Sequence, residues 1–415
     1  MYIERQLEPE LVKHLSKKEY TIITGARQTG KTTLLKRLYS LVKQRQKVAA
    51  YISFEDLDVL NRINRHPEEV FAFLPRPARD ISSLESNEDV FFLFIDEIQY
   101  ADNPTNFLKY LYDTYQDGLK IVATGSSAFY IDRKFKDSLV GRKRIFELKT
   151  LNFKEWLLFQ GKKDLIAELE LIRQNKDYIS TRKVELLELF NKYIIFGGYP
   201  RISLEHDDEE KILLLKEIKN SYLKRDIVDS GIVEVEKFYL LFTLLAARTG
   251  NLLNKNKLAK TIGIDNKTVD KFIFALRKSF HISLVKPFHS NIRKEIIKMP
   301  KLYFNDTGLR NAVLNRYYAF DNRDDRGALF ENHIYRRLTD LYSKDDIFFW
   351  RTVDNREIDF VVRESFDSGR AYEVKLNCNK DKIHPPKVFA RHYPGFSFEV
   401  VSYDLNDNCK WFLKL

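Results

Sequence analysis

The sequence predicts a multidomain α/β protein whose first part is a parallel sheet with crossover helices. Two patterns point there. Residues 1–150 alternate between short apolar runs and amphipathic helical stretches, the signature of a parallel sheet. A glycine-flanked lysine loop separates the first such run from the first such helix. Length adds a third constraint. At 415 residues, the chain exceeds the roughly 250–300 residues at which a single core stops growing.

The elements follow in order. Tyr20–Thr24 reads as the first strand. Thr32–Gln44 reads as a helix, with Leu34, Leu35, Leu38, Leu41 and Val42 on one stripe. Val48–Phe54, Val90–Ile95, Ile121–Thr124 and Ile145–Leu148 are the next four strands. The third of the five is apolar throughout, as expected of a strand covered on both faces. Strand signals vanish over residues 151–234, where Val184–Phe196 and Lys211–Tyr222 have helical spacing; this region is expected to be a helical lid or linker. Residues 235–305 carry two short helices, Lys257–Ile262 and Asn266–Phe280, split by Gly263. Two strands follow, Ile282–Pro287 and Lys301–Phe304, which together suggest a winged-helix module. Residues 306–415 return to mixed α/β, with a helix at Ala328–Tyr342 and strands at Ile347–Arg351, Glu357–Arg363 and Arg370–Leu376.

Composition excludes other classes. Apolar residues form 44% of the chain and include 31 Phe and 22 Tyr, too many buried-type side chains for a disordered protein. The net charge of +11 favours phosphate-bearing partners. Cys378 and Cys409 are expected to be ordinary thiols in a reducing cytoplasm, because their spacing fits neither a disulfide framework nor a zinc site. The longest apolar run, Val90–Ile95, is far short of the ~20 residues that cross a bilayer, and the first residues carry no apolar signal region. A soluble cytoplasmic protein without a membrane partner is the expectation.

The loop Gly25-Ala26-Arg27-Gln28-Thr29-Gly30-Lys31-Thr32 matches the phosphate-binding pattern G-x-x-x-x-G-K-[ST], and Thr33 continues it into the helix. It lies between a strand and a helix, the context that gives the pattern meaning. The glycines let successive N–H groups point at phosphate oxygens. Lys31 sets a charge against the β- and γ-phosphates, the Thr32 hydroxyl can ligate Mg²⁺, and the helix N-terminus adds partial positive charge. The strand Phe91–Ile95 runs into Asp96 and Glu97, which places two carboxylates at the carboxyl end of the sheet. Asp96 is expected to organise the metal and Glu97 to polarise the attacking water. Thr124-Gly125-Ser126-Ser127 ends another strand, and Ser126 is the first candidate for a polar sensor of the γ-phosphate. Arg142 is a candidate arginine finger, with its side of action, own nucleotide or a neighbour's, left open. ATP and Mg²⁺ are the expected ligands.

The chain resembles prokaryotic ATPases with an AAA-type P-loop core and a C-terminal domain similar to PD-(D/E)XK nucleases. The resemblance rests on Gly25–Thr32, Asp96-Glu-Ile-Gln99, Thr124-Gly-Ser126, Gly141-Arg142, Gly197-Gly-Tyr-Pro-Arg201, Tyr222-Leu-Lys-Arg-Asp226, Asn305-Asp-Thr-Gly308 and Gly327-Ala-Leu-Phe-Glu331. It implies an AAA-type sheet with the sensor strand between the other two motif strands, Mg-ATP binding, and hydrolysis. It also offers Arg201 and Arg225 as lid arginines, against an equally open structural role in ion pairs. AAA-type modules often form rings, so a homo-oligomer is among the expectations.

A second constellation lies near the C-terminus. Asp359 in Glu357-Ile-Asp359 and the pair Glu373 and Lys375 alternate with apolar residues, so their side chains leave the core face of their strands. If the two strands are neighbours, Asp359 and Glu373 can bind Mg²⁺ and Lys375 can orient a water, with Glu331 as an extra acid. Two readings stay open: a nuclease-like domain that cuts, or an inactive one used for contact in an NTP-dependent switch or scaffold acting on a protein. In the middle module, Asn266, Lys267, Lys271, Lys278, Lys286, Arg293, Lys294 and Lys298 could neutralise DNA phosphates. The function expected is an Mg-dependent ATPase coupled to a nucleic-acid-directed module.

Overall fold

In a computed structural model, the described residues are 2–73, 90–115, 118–125, 139, 141–175, 177–289, 299–378, 384–405 and 409–415; the side chains of 222, 223, 225, 226 and 229 are not described. The chain divides into two compact units, 1–149 with 278–280, and 150–277 with 281–415.

Unit 1 contains α1 (Glu8–His14), β1 (Tyr20–Thr24), α2 (Lys31–Gln44), β2 (Ala49–Ser53), α3 (Leu57–Arg65), β3 (Phe91–Asp96), α4 (Pro104–Tyr115), β4 (Leu119–Gly125) and β5 (Lys143–Glu147). Its sheet has the order β2-β3-β4-β1-β5, and every ladder is parallel. β1 and β4 are buried at every position. One face packs Ile23, Phe94 and Val122 on Leu34, Leu35 and Leu38 of α2, while the other packs Ile22, Leu93 and Ile121 on Phe107, Leu108 and Leu111 of α4. β4, the strand of Thr124, lies between β1 and β3, the arrangement the resemblance implies. Parallel strands share one carboxyl end, so this order brings the ends of β1, β3 and β4 together.

Unit 2 begins with helices α5 (Phe153–Phe159), α6 (Lys163–Gln174), α7 (Lys183–Phe196), α8 (Pro200–Leu204), α9 (Asp208–Asp229) and α10 (Val235–Ala247). α11 (Lys255–Ile262) ends at Gly263 in the left-handed region, and α12 (Asn266–Lys278) follows. β6 (Ile282–Pro287) and β7 (Lys301–Phe304) pair antiparallel. Then come α13 (Thr307–Leu314), α14 (Arg326–Leu341), β8 (Ile347–Arg351), β9 (Glu357–Arg363), β10 (Gly369–Lys375), α15 (Lys387–His392), β11 (Phe396–Ser402) and β12 (Lys410–Trp411).

The helix–turn–helix–strand-pair order matches expectation, but the boundary expected at 305/306 does not separate two sheets. β6 and β7 are the edge of a seven-stranded sheet of order β12-β11-β10-β9-β8-β6-β7. The apolar faces of α10–α12, β7 and α14 then share one core, with Phe242, Phe272, Tyr303 and Tyr335 in a single cluster.

The cysteine expectation is corrected. Cys378 and Cys409 form a disulfide, with Cα atoms 6.1 Å apart. Cys378 follows β10 and Cys409 precedes β12, and β11 pairs with both strands. The sequence reading lacked β11 and β12, so nothing in it could bring the two thiols together.

Two of the motifs turn out to be one latch. Asp306 caps α13 through Leu309 N–H and accepts from Gly198 N–H, each at 2.9 Å. A Cβ on Gly198 would lie 2.1 Å from Leu151 O, and one on Gly308 would lie 2.0 Å from Phe196 O. Only glycine permits so close an approach of two backbones. Burial pushes the Asp306 carboxyl pKa upward, which the backbone donors oppose. Gly308→Ala is therefore expected to destabilise unit 2 by about 1–3 kcal/mol, the scale of overpacking. Equilibrium urea unfolding reads this; an unchanged midpoint would mean the latch yields without cost.

Candidate functional site

The carboxyl ends of β1, β3 and β4 assemble a site around one buried carboxylate. Asp96 is 4% exposed. The hydroxyl of Thr124 donates to its Oδ1, Thr32 Oγ1 donates to the same oxygen at 3.2 Å, and Tyr51 OH donates to Oδ2 at 2.9 Å. These donors come from β4, from the first turn of α2 and from β2. Burial and the adjacent Asp96 charge push the Tyr51 phenol pKa upward, so it stays a donor.

The loop from Gly25 to Gly30 is fixed by its backbone. Gly25 has φ +146, and a Cβ there would stand 2.2 Å from Leu148 O. Gln28 and Gly30 have φ 55 and 93, so the chain turns back on itself before α2. Thr29 Oγ1 donates to Ala26 O at 2.9 Å, and Lys31 Nζ donates to Gly25 O and Ala26 O at 3.1 and 2.8 Å. Burial, opposed by the Glu97 charge, lowers the Lys31 pKa to about 8. A buried ammonium that among the described residues is hydrogen-bonded to two carbonyls is well matched to an incoming anion, which would compensate its charge. Gly30 provides no side-chain cap for α2, so the first-turn N–H groups are available to phosphate oxygens. A hydroxyl and a carboxylate 3.2 Å apart, Thr32 and Asp96, are the hard oxygen donors that suit Mg²⁺. Arg27 is partly exposed, while Gln28 and Thr33 are exposed. The residues present fit Mg-ATP.

Glu97 holds a left-handed backbone, φ 54 and ψ 51, a conformation that costs a non-glycine residue roughly 1–2 kcal/mol. Its N–H donates to Thr124 Oγ1 at 3.1 Å, and its Oε2 accepts from Gln99 Nε2. Thr124 thus touches both members of the acidic pair. Strain of this kind gathers at functional sites.

Ser126, the expected sensor, lies outside the described residues, as do Ser127, Arg293, Lys294 and Lys298; the Arg225 side chain does too. Arg142 is not brought to the loop. Its carbonyl accepts from Tyr20 N–H at 2.9 Å, at the start of β1, and its guanidinium pairs with Asp113 at 2.7 Å. The phosphate loop follows the other end of β1, about 16 Å away at 3.3 Å per residue. The parallel register puts Arg142 at the amino ends of the strands. Arg201 is exposed and pairs with Glu217 at 3.6 Å.

Sequence reasoning missed Tyr51 and Arg5. Buried Arg5 donates to Thr29 O and to Lys149 O, each at 2.7 Å, and so braces the loop against the end of the β5 segment. No motif marks either residue; both act through contacts distant in sequence.

The second constellation also assembles, within unit 2. β9 and β10 are antiparallel neighbours with Phe360 opposite Tyr372, which sets Asp359 beside Glu373. Val374 N–H donates to Asp359 Oδ2 at 2.9 Å, and Lys375 Nζ pairs with Glu373 at 2.6 Å. Glu331 reaches in from α14. Burial works against the Lys375 charge, but the bond to Glu373 outweighs it and raises the pKa. Burial, followed by the Asp359 charge, raises Glu373 and lifts Glu331 to about 7. Lys301, on β7, was not anticipated; it meets Glu331 at 3.2 Å, Glu357 at 2.5 Å and Asp359 at 3.4 Å.

The raised Glu331 pKa sets a pH dependence. Between its ordinary 4.5 and about 7, the folded state binds the extra proton, so stability rises as pH falls through this window. Urea midpoints at pH 5 and pH 7.5 should show unit 2 relatively more stable at the lower value than in Glu331→Gln. A wild-type pH profile that parallels the variant's would remove Glu331 as the source.

Three family descriptions match separate parts of the chain: "AAA domain" over residues 17–157, "Domain of unknown function (DUF8612)" over 187–317, and "Domain of unknown function (DUF4143)" over 326–411. An uncharacterized protein of Methanocaldococcus jannaschii is 27% identical over 367 residues, covering 87% of this chain and 75% of its own. An uncharacterized protein of Mycobacterium tuberculosis is 23% identical over 380 residues, covering 91% and 74%. Among solved structures, the ORC2 protein of Aeropyrum pernix aligns with TM-score 0.40 and 13% identity over 76% of this chain and 95% of that one.

Proposed function

We propose that this chain is an Mg²⁺-dependent ATPase whose second unit directs the cycle to nucleic acid. The observation that carries the ATPase reading is the convergence of Lys31, Thr32, Thr124 and Tyr51 around the loop and Asp96. The match of residues 17–157 to the AAA domain agrees with it.

The residue roles follow from position. The loop N–H groups and Lys31 hold the phosphates. Thr32 and Asp96 would hold Mg²⁺, which when bound supplies charge to the phosphate oxygens. Glu97, at the strand end, takes the proton from the attacking water or orients it. Thr124 ties Asp96 to Glu97, so a shift in one is felt by the other. Ser126 remains the proposed sensor by its position after β4. Arg142, at the far end of the sheet, is assigned to a neighbouring copy's nucleotide in a homo-oligomer.

The nucleic-acid reading rests on the net charge of +11 and on the exposed Lys257, Lys260, Lys267 and Lys271 of the two short helices. The nuclease-like reading of the C-terminal part rests on the spacing in Glu357-Ile-Asp359 and Glu373-Val-Lys375 and the adjacency of β9 and β10. A second reading, a switch acting on a protein, has its own support. Asp265 and Asp270 interrupt the basic face, and Lys255 is paired to Asp270 at 2.5 Å. That weakens the field a phosphate backbone would meet.

Lys31→Ala should abolish ATP binding in calorimetry. Glu97→Gln should bind ATP normally while phosphate release falls by roughly 10²–10⁴-fold; normal turnover would remove Glu97 from the mechanism. DNA binding should weaken steeply between 50 and 200 mM salt, on the order of tenfold or more for a few phosphate contacts. Binding that is absent at low salt would favour the protein-directed switch.

A further inference from the structure

The acidic cluster of unit 2 has the composition of a divalent-cation site, and a protein cation stands inside it. Lys301 Nζ lies 2.5 Å from Glu357 Oε1, 3.2 Å from Glu331 Oε1 and 3.4 Å from Asp359 Oδ1. Its side chain is 3% exposed. Three further carboxylate oxygens are engaged too. Glu357 Oε2 accepts from Arg351 at 2.9 Å, Asp359 Oδ2 from Val374 N–H at 2.9 Å, Glu373 Oε1 from Lys375 at 2.6 Å, and Glu331 Oε1 also from Tyr303 OH at 2.6 Å. Four carboxylates thus meet three cationic side chains. Among the described residues, no group of three or more His, Cys, Asp or Glu side chains is arranged to hold a metal ion.

The fold explains how Lys301 gets there. β6 joins the sheet beside β8 at Lys286–Phe348 and Pro287–Phe349, and β7 pairs with β6 at the edge. β7 reaches β9 through its side chains: the Tyr303 ring stacks on Tyr335 at 4.7 Å and sits 5.4 Å from Phe360. The Lys301 stem passes the Phe349 ring with its nitrogen 5.7 Å from the centroid. The ammonium is delivered from a strand outside the segment that supplies the carboxylates. A divalent ion needs several oxygens aimed at one point about 2.0–2.6 Å away. Here three of the oxygens are aimed at an ammonium, a compact point charge with three donors.

We propose that Lys301 is a resident cation in the place a divalent metal would take, so that this part of unit 2 binds without cleaving. The cation assignment stands on geometry alone; its consequence for cleavage rests on the nuclease-like reading given above.

The test is Mn²⁺ titration of the nucleotide-free full chain, read by electron paramagnetic resonance of free Mn²⁺. Wild type and Asp359→Asn should retain Mn²⁺ equally. Lys301→Ala should take up one further Mn²⁺ at least tenfold more tightly, lose it in the Lys301→Ala/Asp359→Asn double variant, and gain thermal stability from Mn²⁺ that wild type does not. Wild-type Mn²⁺ binding that disappears with Asp359→Asn would overturn the assignment, as would a folded Lys301→Ala that gains no site. If Lys301→Ala fails to fold, the comparison of wild type with Asp359→Asn decides alone. Plasmid cleavage that needs Mn²⁺ and Asp359 in wild type would also overturn it. Failure of wild type to bind DNA would sink the nucleic-acid reading and leave the cation assignment standing.

Discussion

A carboxylate buried at the end of a sheet must be satisfied, and the way Asp96 is satisfied organises unit 1. Its two oxygens accept from three hydroxyls carried by β2, β4 and α2. Left unpaired, such a charge would cost several kcal/mol of desolvation. The strand order β2-β3-β4-β1-β5 is what lets three separate elements supply those donors at one point. The same order fixes the phosphate loop beside them, because α2 begins where β1 ends. Thr124 extends the arrangement to Glu97, whose N–H it accepts and whose backbone is left-handed. The geometry of the loop, the metal donors and the water-directing acid is therefore one problem with one solution.

Unit 2 solves a related problem differently. Its carboxylates gather on β9, β10 and α14, and the charge is offset from within by Lys301, Lys375 and Arg351. In unit 1 the buried acid is met by neutral hydroxyls alone. In unit 2 two ammonium groups and one guanidinium stand against four carboxylates. The two acidic sites look alike in sequence, and their protein partners make them chemically different.

Much of this was legible in the sequence. β1, β6, β7, β8 and β9 have the limits that the apolar patterns gave, and the loop from Gly25 to Thr32 sits between its strand and helix as the motif requires. Local signals such as alternation and glycine placement reach only neighbours along the chain. Tyr51, Arg5 and Lys301 act across dozens of positions, and no local pattern marks them. The side on which Arg142 acts was open in the sequence, because a pattern gives a strand's existence but not the end at which a flanking residue stands. β11 and β12 are short or half-exposed, which blurred their alternation and hid the Cys378–Cys409 pairing. The Gly197-Gly198 and Asp306–Gly308 motifs were visible, but their meaning as a mutual latch needed the third dimension.

The central claim is that the loop and Asp96 form one Mg-nucleotide site. A crystal structure with a non-hydrolysable ATP analogue and Mg²⁺ tests it most directly. Lys31 Nζ is expected to leave the carbonyls of Gly25 and Ala26 for phosphate oxygens, with the metal beside Thr32 and Asp96. Nucleotide bound elsewhere, or bound here with Lys31 still on those carbonyls, would contradict it.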